Sequence, residues 1–295
     1  MIPEVITSAQ NPKLKRLIAL QEKSRLRREE GVFVVEGRRE LEHCVAAGFE
    51  IDSVFICEDI AAASRGVPPE GRNTRGSVAG GPSRRDGGVS PKGELPKGVH
   101  PELAAGKVFH LSKELYSKVA YREGTEGIIA EVRAKDTRLE DLELKENPLI
   151  VVLEGVEKPG NLGAVLRSAD AAGADAVIIT NPLTDLYNPN LIRASIGAIF
   201  TVPTVACSTD EAIAFLKARG IRILTAQLQD SSNYYDVDMT VGTAIVMGTE
   251  ATGLTQAWRK AADAHILIPM LGRLDSLNVS VSAAILLYEA VRQRQ

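Results

Sequence analysis

Short runs of Val, Ile and Leu alternate along the chain with stretches in which apolar residues recur every three or four positions. The runs are typical of strands, whereas the wider spacing is typical of amphipathic helices. In the first half of the chain, this pattern predicts a small α/β unit. Its predicted strands are residues 32–35, 51–57, 107–111 and 127–132, and its predicted helices are residues 11–20, 38–47 and 112–119.

The alternation becomes stronger after Pro148. Strands rich in Val and Ile, separated by helical stretches, indicate a mostly parallel sheet that helices cover on both faces. The predicted strands are residues 149–153, 176–180, 203–207, 221–225, 243–247 and 265–268, and the predicted helices are residues 162–172, 210–218, 254–261 and 278–292.

Two segments interrupt the pattern. Residues 63–100 hold nine Gly and five Pro and have no long apolar periodicity, so they bury too little surface to offset the entropy of ordering them. We predict a flexible insertion there, whose basic residues either contact RNA or are simply solvated. The charged stretch 135–146 predicts a linker. We therefore divide the 295 residues into domains 1–145 and 146–295.

Composition narrows the class of protein. The chain is 44% hydrophobic and 25% charged, which are ordinary globular values. No apolar run approaches the ~18 residues of a membrane helix, and the first residues lack the order of a signal peptide. The three cysteines form no CxxC pair and the four histidines no HExxH motif, so we expect no disulfide framework and no metal site. These features predict a cytoplasmic protein.

Charge is unevenly distributed along the chain. The net charge is −3, yet residues 11–39 hold nine Lys or Arg against four Glu. Such a local excess is typical of a surface that faces phosphates. A solvated helix face would show the same charges, and both interpretations stay open.

Three polar segments follow predicted strands, where parallel α/β sheets place their ligands. The first contains Asn161, a candidate helix cap, and Arg167 six residues later. The second places Glu250 between two glycines in Gly-Thr-Glu-Ala-Thr-Gly, at residues 248–253. Taken alone, these segments also fit a capped helix with a surface arginine and a tight turn. Neither is a GxGxxG or P-loop motif, so a dinucleotide site is unsupported.

The third segment, residues 268–282, reads Ile-Pro-Met-Leu-Gly-Arg-Leu-Asp-Ser-Leu-Asn-Val-Ser-Val-Ser. It sets Ser276, Asn278 and Ser280 at alternate positions before an apolar helix. A helix start needs one capping side chain, so three polar groups here favour a functional role.

In combination, the three segments resemble the SpoU/TrmH branch of the SPOUT RNA methyltransferases. That branch carries an Asn-x-Gly…Arg segment, a Gly-x-Glu-x-x-Gly turn and an Ile-Pro-Met…Ser-Leu-Asn-Val-Ser run, and all three occur here in order. The stretches 8–13 and 33–37 resemble the substrate-binding domain of the family. The implied fold is a C-terminal α/β SPOUT domain with a parallel sheet and a deep trefoil knot. A smaller N-terminal α/β domain would resemble ribosomal protein L30e.

The resemblance also implies a reaction and its residues. S-adenosylmethionine would donate a methyl group to a ribose 2′-hydroxyl of structured RNA, with ribosomal RNA favoured over transfer RNA. The family is normally a homodimer. A non-catalytic RNA-binding or ribosome-assembly protein is the alternative from another class. The implied catalytic residues are Asn161, Arg167, Glu250, Ser276 and Asn278, and the implied cofactor-binding residues are Gly248, Ile268, Met270 and Leu277.

Overall fold

The first half of the protein forms a five-stranded mixed sheet with helices on both faces. A computed structural model describes residues 4–65, 106–121, 124, 126–249 and 252–295. The strands are β1 (Glu4–Ile6), β2 (Val32–Glu36), β3 (Ile51–Ile56), β4 (Lys107–Leu111) and β5 (Ile128–Arg133), in the order β1-β4-β3-β5-β2. The helices are α1 (Pro12–Glu22), α2 (Ser24–Glu30), α3 (Arg38–Ala46), α4 (Glu58–Arg65) and α5 (Lys113–Val119). β5 is antiparallel to both of its neighbours, β3 and β2, whereas the other strand pairs are parallel.

The second half forms a seven-stranded sheet in which every strand pair is parallel. Its strands are β6 (Leu149–Glu154), β7 (Ala176–Thr180), β8 (Thr204–Cys207), β9 (Arg222–Ala226), β10 (Ser232–Asn233), β11 (Thr243–Met247) and β12 (Ala264–Leu267), in the order β10-β12-β9-β11-β6-β7-β8. Its helices are α6 (Pro159–Ala172), α7 (Pro189–Ser195), α8 (Ala198–Thr201), α9 (Thr209–Ala218), α10 (Gln256–Ala261) and α11 (Val279–Gln293).

The central strands of the second sheet could be predicted from the sequence because they are buried. Every residue of β6, β7 and β11 is buried, because helices cover both faces of the sheet. Residues of α6 and α11 pack on one face and residues of α9 and α10 on the other. The predicted parallel α/β fold is therefore confirmed. The knot stays a prediction.

The predicted elements are present, with shifted ends. The helix predicted from residue 162 begins at Pro159, because proline is well suited to the first helical position. The expectation that Asn161 caps this helix is wrong, since Asn161 lies inside its first turn. The sequence pattern did not predict α2, α4, α7, α8, β1 and β10, all of which are short.

The two interrupting segments have different outcomes. Residues 66–100 of the predicted insertion lie outside the described residues, and residues 63–65 complete α4. The predicted linker forms a 3₁₀ turn at Leu139–Asp141, and Leu142 after it is 5% exposed within the core beside α9 and α10. The linker is therefore packed against the second sheet.

A continuous apolar interface joins the two halves. The rings of Phe33 on β2 and Tyr187 before α7 stack with their centroids 4.2 Å apart. Arg27, which is 4% exposed, donates from Nε to Asp185 Oδ2 at 2.6 Å. Arg16 is paired with Glu30 and with the buried Glu131. The buried Arg27 therefore fits neither of the two open interpretations, and the charge of the half-buried Arg16 is balanced by Glu30 and Glu131.

Neither a membrane-spanning helix nor a metal cluster occurs in the part of the chain that the structure describes. There, no helix has the length and apolarity needed to cross a bilayer. The same residues include no cluster of three His, Cys, Asp or Glu placed to hold a metal ion.

Candidate active site

A cavity of about 380 Å³ opens where β9, β11 and β12 end. Ala226, Met247 and Leu267 are the last residues of these strands, and all three line it. Its volume falls in the range of small-molecule sites, and ligands of parallel α/β sheets bind outside the carboxyl ends of the strands. The cavity is therefore the candidate cofactor site.

The structure brings the four predicted cofactor-binding residues to this cavity: Gly248, Ile268, Met270 and Leu277 all line it. The backbone is especially tight at Gly248. A Cβ atom there would lie 2.3 Å from the carbonyl carbon and oxygen of Gly253. Only glycine allows this approach at residue 248, whereas at residue 253 a φ of +66° favours glycine.

Asn161 and Asn278, which are 117 positions apart, meet beside the cavity. Asn278 Nδ2 donates to Asn161 Oδ1 at 3.1 Å. Asn278 also caps α11, because its Oδ1 accepts from the backbone N–H of Ser280 at 2.9 Å and from its hydroxyl at 2.6 Å. The contact joins the first polar segment to the third, and the cap fixes the orientation of the Asn278 amide.

The other three predicted catalytic residues have different environments. Ser276 is exposed, lines the cavity and donates to Asp275 Oδ1 at 3.3 Å. Arg167 is exposed on α6, about 9 Å along the helix axis from Asn161. It forms no hydrogen bond or ion pair with the other described residues, so its guanidinium is available to a ligand. Glu250 lies outside the described residues.

Comparison with known proteins identifies the family. Residues 148–288 match the SpoU rRNA methylase family, and residues 11–78 match an MRM3-like substrate-binding domain. The chain is 38% identical over 192 residues to the 23S rRNA (guanosine-2′-O-)-methyltransferase RlmB of Photobacterium profundum, a match that covers 63% of this chain and 78% of that protein. The chain belongs to the SpoU rRNA methylase family.

A second relative of this SpoU-family protein is the 23S rRNA (uridine(2479)-2′-O)-methyltransferase of Streptomyces viridochromogenes, 35% identical over 57% of this chain. The matched part spans only 60% of that relative. Among solved structures, an RNA 2′-O ribose methyltransferase is 35% identical with a TM-score of 0.73, over 99% of both chains. The AdoMet-bound rRNA methyltransferase from Sinorhizobium meliloti is 25% identical with a TM-score of 0.79, over 98% of this chain and 97% of that one.

Several polar groups near the cavity of this SpoU-family protein were not predicted from the sequence. Gln227 and Arg259 line the cavity, and Arg259 Nη1 donates to Gln229 Oε1 at 3.1 Å. Glu154 ends β6 with a carboxyl group that is buried behind the cavity wall. A signal for Glu154 was present, because an acidic residue that closes a wholly apolar strand is unusual in a core. No motif marked Gln227 or Arg259.

Proposed function

We propose that this protein transfers the methyl group of S-adenosylmethionine to a ribose 2′-hydroxyl of 23S ribosomal RNA. The observation that carries the proposal is the meeting of Asn161 and Asn278 beside a cavity at the strand ends. Membership of the SpoU family and the ribosomal RNA substrates named for its relatives support the reaction and the substrate. The AdoMet-bound structural relative supports the cofactor.

The cavity suits S-adenosylmethionine. Ile268 and Leu277 offer apolar surface for an adenine ring, and the tight backbone around Gly248 brings main-chain groups to the cavity wall. Gln227 and Arg259 add polar groups for the hydroxyl and carboxylate ends of the molecule. When bound, the cofactor supplies a methyl group that the sulfonium has already activated.

The remaining work of the protein is to position a ribose hydroxyl and to stabilise the charge that develops on it. The Arg167 guanidinium would bind the forming alkoxide and an adjacent phosphate, since both are anionic. We do not assign it the role of a base, because arginine stays protonated. The joined amides of Asn161 and Asn278 would hold the ribose or orient Arg167, and Ser276 would do so from the segment that precedes α11.

The N-terminal domain supplies a basic surface for RNA. After Arg16 and Arg27 are set aside, the exposed cations of residues 11–39 are Lys15, Lys23, Arg25, Arg28 and Arg39. Lys15 lies on α1, Arg25 and Arg28 lie on α2, and Lys23 lies between the two helices. Their contacts with phosphates would fix the RNA far from the reacting nucleotide without reading its sequence. Action on ribosomal RNA would place the protein in the cytoplasm.

A homodimer is part of the proposal. Val281 and Tyr288 on α11 are 46% and 51% exposed and lie seven residues apart, so they share one helix face. A second copy that covered this face would remove apolar surface from water. It would also bring another Arg167 towards the site, which would explain why Arg167 has no partner in the described chain.

Methyl transfer tests the reaction. Purified protein is incubated with S-adenosylmethionine labelled on the methyl group and with ribosomal or transfer RNA. The expected result is label on ribosomal RNA, at one position that resists alkaline cleavage. Label on transfer RNA alone would identify the other substrate. Cofactor binding without label on any RNA or ribosomal precursor particle would contradict the reaction and favour a non-catalytic RNA-binding protein.

Arg167→Ala is the decisive variant, and Arg219→Ala is its matched control. Arg219 is also an exposed arginine at a helix in the same domain, but it follows α9 and packs over Phe215. Arg167→Ala is expected to lower kcat by about 100-fold to 1,000-fold, the usual cost of losing one group that stabilises an oxyanion. Equal activity of the two variants would refute the role of Arg167.

Mixing inactive variants tests whether Arg167 acts across a dimer. Arg167→Ala and Ser276→Ala chains are coexpressed, so that some dimers contain one of each. If Arg167 serves the site of the partner, each mixed dimer keeps one intact site and activity returns. Activity that stays absent in dimers of proven mixed composition would place Arg167 in its own site. Tyr288→Lys should give monomers in light scattering, and unchanged mass would refute the proposed interface.

A further inference from the structure

Glu154 is a buried carboxylate with no assigned role. It is 4% exposed at the end of β6, and the described residues offer it no Lys, Arg or His as an ion-pair partner. Removing a carboxylate from water is unfavourable unless hydrogen bonds replace the lost solvation. The groups that surround Glu154 therefore show how it is held.

Three donors converge on this carboxylate, and two of them belong to one residue. Thr255 donates its backbone N–H to Oε2 at 2.8 Å and its hydroxyl to Oε1 at 2.9 Å. Thr209 donates its hydroxyl to Oε1, also at 2.9 Å. Asn181 Nδ2 donates to the Thr209 oxygen at 3.0 Å, which leaves the hydroxyl hydrogen of Thr209 directed at Glu154.

Thr255 connects Glu154 to the cavity. It directly follows Gly253 and Leu254, which both line the cavity, and directly precedes α10. Although Thr255 occupies the N-cap position of α10, its side chain forms no capping hydrogen bond with the helix. The hydroxyl is turned to Glu154 instead, so the carboxylate holds the cavity wall from behind.

The backbone of this wall cannot shift without changing the shape of the cavity. The contact between Gly248 and Gly253 is so close that even one added carbon atom would force the backbone apart. A shift of Thr255 would pull on Gly253 and change the shape of the cavity. Packed contacts of this kind transmit small displacements because interiors have few voids.

We propose that Glu154 is a positioning residue for cofactor binding: it holds Thr255, and through it the wall formed by Gly253 and Leu254, where S-adenosylmethionine needs it. The inference rests on the proposed function, because it takes S-adenosylmethionine as the ligand of the cavity. Glu154 does not line the cavity, and it acts through Thr255.

Three variants test this chain of contacts. Thr255→Val keeps the size of the side chain and removes its hydroxyl, Glu154→Gln removes the charge, and Thr255→Ser restores the hydroxyl. We expect calorimetry to show S-adenosylmethionine binding weakened about 10-fold to 150-fold by the first two, the usual range for a lost hydrogen bond to a charged group. Thr255→Ser should bind as tightly as the wild type.

The position of α10 gives a readout that needs no activity. Trp258 is the only tryptophan of the chain, lies on α10 and is fully buried. Its fluorescence in the cofactor-free protein should change in Thr255→Val and Glu154→Gln, because the start of its helix is released. The fluorescence of Thr255→Ser should match that of the wild type.

Thr180→Val is the matched control. Thr180 pairs with Glu154 across β6 and β7, is fully buried, and its hydroxyl has no hydrogen-bond partner among the described residues. It should leave both cofactor affinity and fluorescence unchanged. Wild-type affinity in Thr255→Val, or an equal loss in Thr180→Val, would overturn the inference. If the wild type itself bound no S-adenosylmethionine, the proposed function would fail first.

Discussion

Arg27→Met tests how firmly the two domains are held together. Arg27 joins them through its ion pair with Asp185, which is 10% exposed, and its Nη1 also donates to the carbonyl oxygens of Leu20 and Gln21 at 2.6 and 3.0 Å. Methionine fills a similar volume but provides none of these donors. The substitution therefore leaves a buried carboxylate and two carbonyl groups without the guanidinium.

The expected cost is large for a single ion pair. Removing one partner of a buried ion pair destabilises a protein by about 3–5 kcal/mol, because the other charge stays buried without compensation. For a chain of this size, that corresponds to a fall in Tm of about 6–10 °C. The free energy of unfolding is measured by urea titration, with far-UV circular dichroism as the signal.

Two further variants separate the ion pair from a general effect of substitution. Arg25→Met removes the neighbouring exposed pair with Glu29, in which the Arg25 side chain is 85% exposed, and should cost less than about 0.5 kcal/mol. Adding Asp185→Asn to Arg27→Met should recover part of the loss, because no uncompensated charge then remains. If Arg27→Met cost no more than Arg25→Met, our account of the domain interface would be refuted.

Three other outcomes are expected. Gly248→Ala should abolish binding of S-adenosylmethionine in calorimetry, whereas Gly160→Ala should leave it unchanged, since a Cβ atom at residue 160 meets nothing within 4 Å. Arg294→Met should lower the free energy of unfolding by about 1.5–3 kcal/mol, because the Arg294 guanidinium donates to four backbone carbonyl groups near the starts of β6 and β11. Arg25→Met, at the exposed pair with Glu29, should have little effect in the same titration. Burial, with a contribution from a nearby carboxylate, raises the pKa of the Cys207 thiol to about 11. At pH 8, iodoacetamide should therefore modify this thiol about 100-fold more slowly than an ordinary thiol. The extent of modification of the folded protein is followed by mass spectrometry, and rapid modification would contradict this expectation.

Local pattern was sufficient to predict the longer strands and helices of the second domain. The strands β6, β7 and β11 are covered on both faces, so their apolar runs are continuous and easily recognised. Short elements such as α7 and α8 gave too few residues for a periodic signal. Asn161 shows the limit of local reasoning, because its residue type suggested a cap while Pro159 set the start of the helix.

The cavity residues could be predicted because they belong to continuous motifs. Gly248, Ile268, Met270 and Leu277 lie in the segments after two strands, and parallel strands bring such segments to one edge of the sheet. Charge could not be interpreted in the same way. Among nine basic residues in one stretch, nothing in the sequence distinguished Arg27, which is buried, from the exposed Arg28.

The sequence by itself determined the longer strands and helices, the family motifs and the polar segments that follow strands of the second sheet. These depend on side-chain periodicity and on residues close together in the chain. Only the tertiary structure decided that Asn278 meets Asn161, that Arg27 pairs with Asp185, and that Glu154 holds Thr255. Each of these pairs spans more than 100 positions, and such a contact is set by how whole elements pack, which no local pattern records.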